Sequence, residues 1–301
     1  MYRGENKGVF WSKFYMKART VFVYTVLIFL SILCLFSMYL LIINASKSHT
    51  TIIDPEGFKP VMGASFGKNF NNIFFTTGQK SFRSIYAVSF LTAMRNSFII
   101  ALLSTICCVY FSTTTAYGIH MYRFKLRNAA FTFILMIMMI PTQVSTTGFI
   151  SMVYSLKWYD HFFPLFLPSV ASPVTFFYIK QYMESVLPYE MVEAARVDGA
   201  GEIRIFHQIV LPVMKPALAV QVIFAFVASW NNYFIPQLVL SQPNKRTLPI
   251  VVASLHSATD ASKDYGMIYM VIFLSIIPLV IVYFVFSRFI MKGLTLGAVK
   301  G

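Results

Sequence analysis

Twenty-four residues, "YEMVEAARVDGAGEIRIFHQIVLP" (189–212), hold Glu190, Glu193, Arg196, Asp198, Glu202 and Arg204, and with them four of the chain's eleven acids. Acids this close together could do general acid–base work in a loop active site of a membrane enzyme. Such chemistry needs companions, and few are present. His49, His120, His161, His207 and His256 are scattered, with no H-E-x-x-H pair, and no G-x-x-x-x-G-K-[ST] loop offers a route to ATP hydrolysis. Cys34, Cys107 and Cys108 lie inside apolar runs at no metal-ligand spacing and read as packing or lipid-embedded residues. An enzyme would also place carboxylates or histidines where apolar segments end, and none cluster outside this loop. No catalytic residue, metal ligand or cofactor site is expected in this chain.

The elements that position the charged patch follow from its pattern. Pro188 suits the first turn of a helix, and Gly199 the residue just past its end. "PYEMVEAARVD" reads as one short helix, "GAG" as a turn and "EIRIFHQIV" as a second helix that Leu211–Pro212 ends. Ile203, Phe206, Ile209 and Val210 share one face of it, with Glu202, Arg204 and Gln208 turned away. An apolar stripe with a charged rim can enter a partner's groove. It can also rest on a membrane surface or cover the ends of its own bundle, which periodicity alone favours.

The rest of the chain is far less polar. It is 57% apolar and 12% charged, with a mean hydropathy of +0.66, too little charge to cover a soluble surface. Six intervals of at least 19 residues contain no Asp, Glu, Lys or Arg. Each can cross a bilayer as a helix, so the expected fold is all-α and polytopic, with spans at about 20–46, 96–122, 128–156, 161–180, 213–241 and 265–290. The first charge-free run, 27 residues, exceeds the apolar core of a cleaved signal peptide. Residues 1–19 form an N-terminal segment, 20–292 the membrane domain with the 187–212 loop, and 293–301 a tail.

Twenty-five Lys and Arg against eleven acids would suit nucleic acid, but in so apolar a chain they mark cytoplasmic loops. Fifteen basic residues fall in the N-terminal segment, the loops after the second and fourth spans, and the tail. The shorter opposite loops hold Lys157, Lys245, Arg246 and Lys263. Both termini and the 187–212 loop are therefore expected in the cytoplasm, with no nucleic-acid partner. The charge-free runs supply no carboxylate for a proton-driven carrier, so a transport role needs an external engine.

"EAARVDGAGEIRIFHQIVLP" resembles the EAA loop of ATP-binding-cassette importer permeases, whose pattern is E-A-A, three residues, G, nine residues, I-x-L-P. Glu193, Ala194, Ala195, Gly199, Ile209, Leu211 and Pro212 fill the fixed positions at the right spacing, and "DGA" is typical of the sugar branch. "MRNSFIIALLST" (94–105), "SWNNYFIPQLVL" (229–240), "RTLPIVVASL" (246–255) and the ending "MKGLTLGAVKG" extend the likeness to the maltose-type six-span subunit. Val192 and Gln208 depart from the commonest form, where acidic and basic residues are frequent. The first external loop matches nothing.

The resemblance implies a permease subunit in a bacterial or archaeal plasma membrane, passing a sugar or oligosaccharide by alternating access. Its partners would be a second homologous permease, two ATPase subunits that bind ATP and Mg, an external solute-binding protein and lipid. The EAA helices would dock in a cleft of the ATPase, with Phe206 filling a pocket there. Gly293, Gly297 and Lys300 of the tail would reach between the ATPase subunits. Near the proline-bearing spans, Gln143, Asn231 and Asn232 offer amides, and Trp230 and Tyr233 flat rings, that suit a sugar. The same types serve interhelical bonding. The two readings stand level for Gln143 and Asn231, and the interhelical one leads elsewhere. A permease for amino acids or peptides is the other transport reading.

Overall fold

The computed structural model describes residues 5–54, 59–76, 82, 87–257 and 263–298, and among these every regular element is helical. A peptide group left unpaired in hydrocarbon is expensive, and a helix pairs all of its own. In chain order the elements are α1 (Glu5–Ala45), α2 (His49–Ile52), α3 (Phe66–Phe74), α4 (Phe90–Met121), α5 (Arg127–Met138), α6 (Thr142–Ser155) and α7 (Phe163–Phe166). They continue with α8 (Pro173–Val186), α9 (Tyr189–Val197), α10 (Glu202–Val213), α11 (Lys215–Trp230), α12 (Phe234–Val239), α13 (Leu248–Ser257) and α14 (Tyr265–Ala298).

Three of the expected spans are single helices, α1, α4 and α14, and these alone among the described elements are long and apolar enough to cross a membrane. A fourth exists if α10 and α11, bent by 81°, count as one span. The remaining expected spans are made of pieces. The 128–156 stretch divides at 139–141, before α6. The 161–180 stretch is α7, a 3-10 turn at Leu167–Val170 and α8, punctuated by Pro164, Pro168 and Pro173. The 213–241 stretch divides between α11 and α12. Proline lacks the amide donor and crowds the turn before it, which accounts for the breaks at Pro141, Pro168 and Pro173. Pro278, by contrast, sits inside α14 without ending it.

The chain forms two compact units. In the first, residues up to Asn71 join Asp264–Phe273. The segment after α1 is tightly tied. The Ser65 and Gly63 amides bond the carbonyl and the hydroxyl of Ser46, each at 2.8 Å, and buried Asn69 donates to the Ala45 and Lys47 carbonyls at 2.8 and 2.9 Å. Gly266 passes so near that a β-carbon there would lie 2.3 Å from the Lys47 carbonyl. Residues 63–69 of the loop that matched nothing by sequence are thus tied to residues 45–47.

The second unit holds Asn72–Lys263 and the chain from Leu274. Its axis is α4, against which α8 and α11 pack. The buried side of α4 carries a series of small residues: Ala93, Ser97, Ala101, Ser104, Cys108, Ser112 and Ala116 recur at three- and four-residue spacing. Small residues let helix backbones approach closely where lipid offers no hydrophobic drive. Near the start of α4, Asn96 donates to the Asn244 and Arg246 carbonyls at 2.9 and 3.1 Å, and the Ser97 hydroxyl accepts from the Leu248 amide at 2.8 Å.

Candidate functional site

The charged patch folds as a helical hairpin of α9 and α10. Pro188 precedes α9 in extended conformation, and the helix closes with two bonds of 3.0 Å, from Gly199 N–H to the Arg196 carbonyl and from Ala200 N–H to the Ala195 carbonyl. Gly199 has φ +79°, where a β-carbon costs about 1–2 kcal/mol. A β-carbon there would meet nothing within 4 Å, so the conformation and not crowding asks for glycine.

The second helix departs from expectation, because it does not end at Leu211–Pro212. The backbone widens to π geometry over Phe206–Val210, the Leu211 amide bonds the Phe206 carbonyl, and α10 runs on to Val213. Pro212 has no N–H to give, and a wider turn makes room for its ring. The bend into α11 falls at Met214 instead.

The stripe is rotated too. Ile205, Phe206 and Val210 are buried with Val192 and Ala195 in one cluster with residues of α4 and α8, while Ile209 and Leu211 pack half-buried at its edge. Phe206, 6% exposed, lies edge-on to Tyr110 at 5.8 Å and beside Tyr117 at 5.7 Å. It is therefore an anchor to its own chain, which corrects the expectation that it fills a pocket on another subunit. Ile205 takes the place on the stripe expected of Ile203, which is 79% exposed. With it on the outer face stand Glu193, Ala194 and Val197, and Arg204 whose Nε donates to Gln208 at 2.9 Å.

Two sets of polar bonds hold the hairpin to the end of α4. Glu202 accepts from Tyr117 Oη at 2.8 Å and from Arg196 Nε at 2.7 Å, and the Arg196 guanidinium lies 5.4 Å from the Tyr122 ring centre. The Arg196 hydrogen bond above all, aided by the tyrosine hydroxyls, holds the Glu202 carboxyl down at about 2 against the opposing pull of burial. At the other end, Tyr189 Oη donates to the His120 carbonyl at 2.6 Å. His120 is buried, stacks on Tyr189 and sets Nε2 3.0 Å from the Leu187 carbonyl, an arrangement in which that nitrogen carries the proton.

A second feature lies between α4, α6, α8 and α11. It is a cavity of about 950 Å³, walled by hydroxyls such as Ser145, Thr146, Ser172 and Thr175 and by the rings of Phe149, Tyr178 and Phe224. Ser104 of α4 and Gln221 of α11 reach it, both more than nine-tenths buried, and the Ser104 hydroxyl has no partner. No Asp, Glu, Lys, Arg or His is among the described lining residues. The proline-rich join of α7 and α8 forms part of the wall through Pro164, Pro168 and Pro173.

Of the residues expected along a sugar path, Asn232 lines this cavity with its neighbour Ser229. Asn231 and Tyr233 are exposed at the break and do not line it. Trp230 is 3% exposed, stacked on Phe226 and donating from Nε1 to the Ser275 carbonyl at 3.2 Å, so it packs the bundle and offers no face to a sugar. The Gln143 side chain lies outside the described residues. Gly293 and Gly297 sit on α14, which stays helical to Ala298, and Lys300 lies outside the described residues.

The profile of the binding-protein-dependent transport system inner membrane component family matches residues 109–295, well over half the chain. The chain belongs to this family. The arabinooligosaccharides transport system permease protein AraQ of Bacillus subtilis is 35% identical over 206 residues, 68% of this chain and 72% of that protein. The sn-glycerol-3-phosphate transport system permease protein UgpE of Yersinia enterocolitica is 31% identical over 276 residues, 91% of this chain and 95% of that protein. A crystal structure of a bacterial ABC transporter involved in the import of the acidic polysaccharide alginate has a chain that superposes with TM-score 0.73. At 20% identity over 90% of this chain and 97% of that one, it shows a shared fold.

As an inner membrane component of a binding-protein-dependent transporter, the chain is a membrane-embedded transport subunit whose partners are an ATPase and a solute-binding protein. Reasoning from sequence missed several residues of this permease's site. Tyr117 and His120 were hidden inside an apolar run. Gln221 was the one discoverable signal: a lone amide in the apolar run "ALAVQVIFAF" of a family member needs a partner or a ligand.

Proposed function

We propose that this permease passes an uncharged sugar or oligosaccharide from an external binding protein across the plasma membrane by alternating access. It pairs with a second homologous permease and two ATPase subunits, which bind the ATP and Mg that this chain does not. Six spans leave both termini and the α9–α10 hairpin in the cytoplasm, where the outer face of the hairpin docks on the ATPase. Glu193, Ala194 and Gly199 shape that face, Ala195, Ile209, Leu211 and Pro212 support it from behind, and Gly293, Gly297 and Lys300 approach the ATPase pair.

The observation that carries the cargo class is the cavity. Hydroxyls and amides satisfy sugar hydroxyls, aromatic rings cover sugar faces, and the absence of charge among the described lining residues suits a neutral ligand. The length of the match to a glycerol-3-phosphate permease favours a phosphorylated polyol as second reading. A phosphate would ask for Lys, Arg or a helix N-terminus; the described lining supplies no basic side chain, while the first turn of α8, from Pro173, is such a terminus in the wall. Uptake by the complete transporter in vesicles, with its own binding protein, separates the two. Neutral oligosaccharides should be carried and glycerol phosphate excluded, and Gln221→Leu should lower sugar uptake about tenfold by leaving a substrate hydroxyl unpaired. Uptake of the phosphate alone, or full sugar uptake by Gln221→Leu, would sink this assignment.

A further inference from the structure

The hairpin is joined to the bundle covalently at two places, and both are breaks. Toward α8 the chain passes Leu187 and extended Pro188. Toward α11 it passes the π turn and the 81° bend at Met214. Joints of this kind absorb displacement instead of passing it on, as hinge positions do. Its inner face packs on both α4 and α8, and the hydrogen-bonded connection is through side chains to α4. Tyr117 Oη to Glu202 is 2.8 Å, Glu202 to Arg196 Nε is 2.7 Å, and Phe206 wedges between Tyr110 and Tyr117. The Tyr189–His120 bond of 2.6 Å fixes a second point, so the hairpin cannot pivot about the first. The same helix carries Ser104 and Cys108 into the cavity wall, with Ser104 about 20 Å along the axis from Tyr117. Between them α4 is unbroken.

We propose that Tyr117, Glu202 and Arg196 form a clamp that makes the hairpin and the end of α4 one body, and that α4 carries the stroke of the ATPase to the cavity wall. These are positioning residues: they touch neither sugar nor nucleotide. Glu202 is the hub, because it accepts one bond from each side of the joint. Arg196 holds it from α9, so the two hairpin helices move together. Tyr117 holds it from α4, so they move with that helix. The proposal rests on the hairpin being the surface where the ATPase docks.

The test uses the complete transporter in liposomes, with this subunit as wild type, Tyr117→Phe or Glu202→Ala. Tyr117→Phe keeps the ring on Phe206 and deletes one hydroxyl. Sugar uptake and ATP hydrolysis are measured on the same vesicles, and the ATPase recovered with the purified complex is quantified. The expected result is a fall of about tenfold in sugar carried per ATP hydrolysed for Tyr117→Phe, the loss of one hydrogen bond to a charged group, and a larger fall for Glu202→Ala, with ATPase recovery unchanged. General loss of fold lowers uptake and hydrolysis together and leaves their ratio alone. An unchanged ratio in both variants overturns the clamp, and so does a loss of ATPase recovery, which would make these residues part of the docking surface. If wild type itself retains no ATPase, the docking reading fails and the clamp with it.

Discussion

The two faces of the α9–α10 hairpin share one stretch of sequence and meet different surroundings. Val192, Ile205, Phe206 and Val210 of the inner face lie in the core cluster at the end of α4, each 6% exposed or less. Val197 and Ile203 of the outer face are 87% and 79% exposed, amid Glu193 and Arg204. An apolar stripe is thus no guide to docking by itself. The face with the larger side chains is spent on the subunit's own bundle, and the surface proposed to dock the ATPase is a mixed one: two bare aliphatic side chains in a polar rim. Such a composition fits an interface that must form and also shift, since a small apolar centre with a polar rim excludes water without fusing two subunits into one core.

The sharpest way to break the comparison is Phe206→Ala. If the inner face is core, the truncation leaves a cavity between Tyr110 and Tyr117 and lowers the unfolding free energy by about 3–5 kcal/mol, as for buried aromatic residues elsewhere. Thermal unfolding of the purified subunit in detergent reads this directly. A stability unchanged from wild type, with ATPase binding lost, would move Phe206 to the outer face and undo the distinction.

Gly199 sets the angle at which the two faces are presented, and the expected effect is smaller. Its φ of +79° strains any residue with a β-carbon, while the space around it is open. Gly199→Val should therefore cost about 1–2 kcal/mol. Gly199→Asn should cost less than Gly199→Ala although it is larger, because asparagine tolerates the left-handed region. Uptake should follow the same order. If the penalty rose with side-chain size instead, crowding against a docked partner would be its source.

The fold was partly legible in the sequence, and the pattern of success is physical. Charge-free runs marked α1, α4 and α14 because hydrocarbon excludes charge wherever the helix goes. They could not show which helix packs. The apolar stretch of α1 is 6% buried and that of α4 is 44%, yet α1 is the more apolar of the two. Packing in a membrane follows small and polar residues, so the serine, threonine and alanine series of α4 was the better indicator. The turn at Gly199 was readable because one residue type answers to one backbone conformation. The orientation of Phe206 was not, because the π turn before Pro212 and the competing claims of Ile203 and Ile205 shift the stripe by a fraction of a turn. The cavity was half visible: Asn232 and Ser229 lie in a quoted motif, whereas Gln221 and Ser104 needed the neighbouring helices to show that they converge.

The smallest effect on folding is expected on the outer face, where Ile203→Asp sharpens the comparison most. Ile203 touches little of its own chain, so unfolding of the isolated subunit should change by no more than about 0.5 kcal/mol. Docking is another matter. A carboxylate at that site would be desolvated by the incoming ATPase and would add a second negative charge beside Glu202, which already engages Arg196. Recovery of the ATPase with the purified subunit should then fall at least tenfold, a change of about 1.4 kcal/mol, near the threshold of an interface anchor. Phe206→Ala and Ile203→Asp together form a dissociation: one lowers the stability of the subunit, the other leaves it intact and loses the partner. Should Ile203→Asp leave ATPase recovery at the wild-type level under stringent washing, the outer face would be an ordinary wet surface, and the docking site would have to be sought at the end of α14.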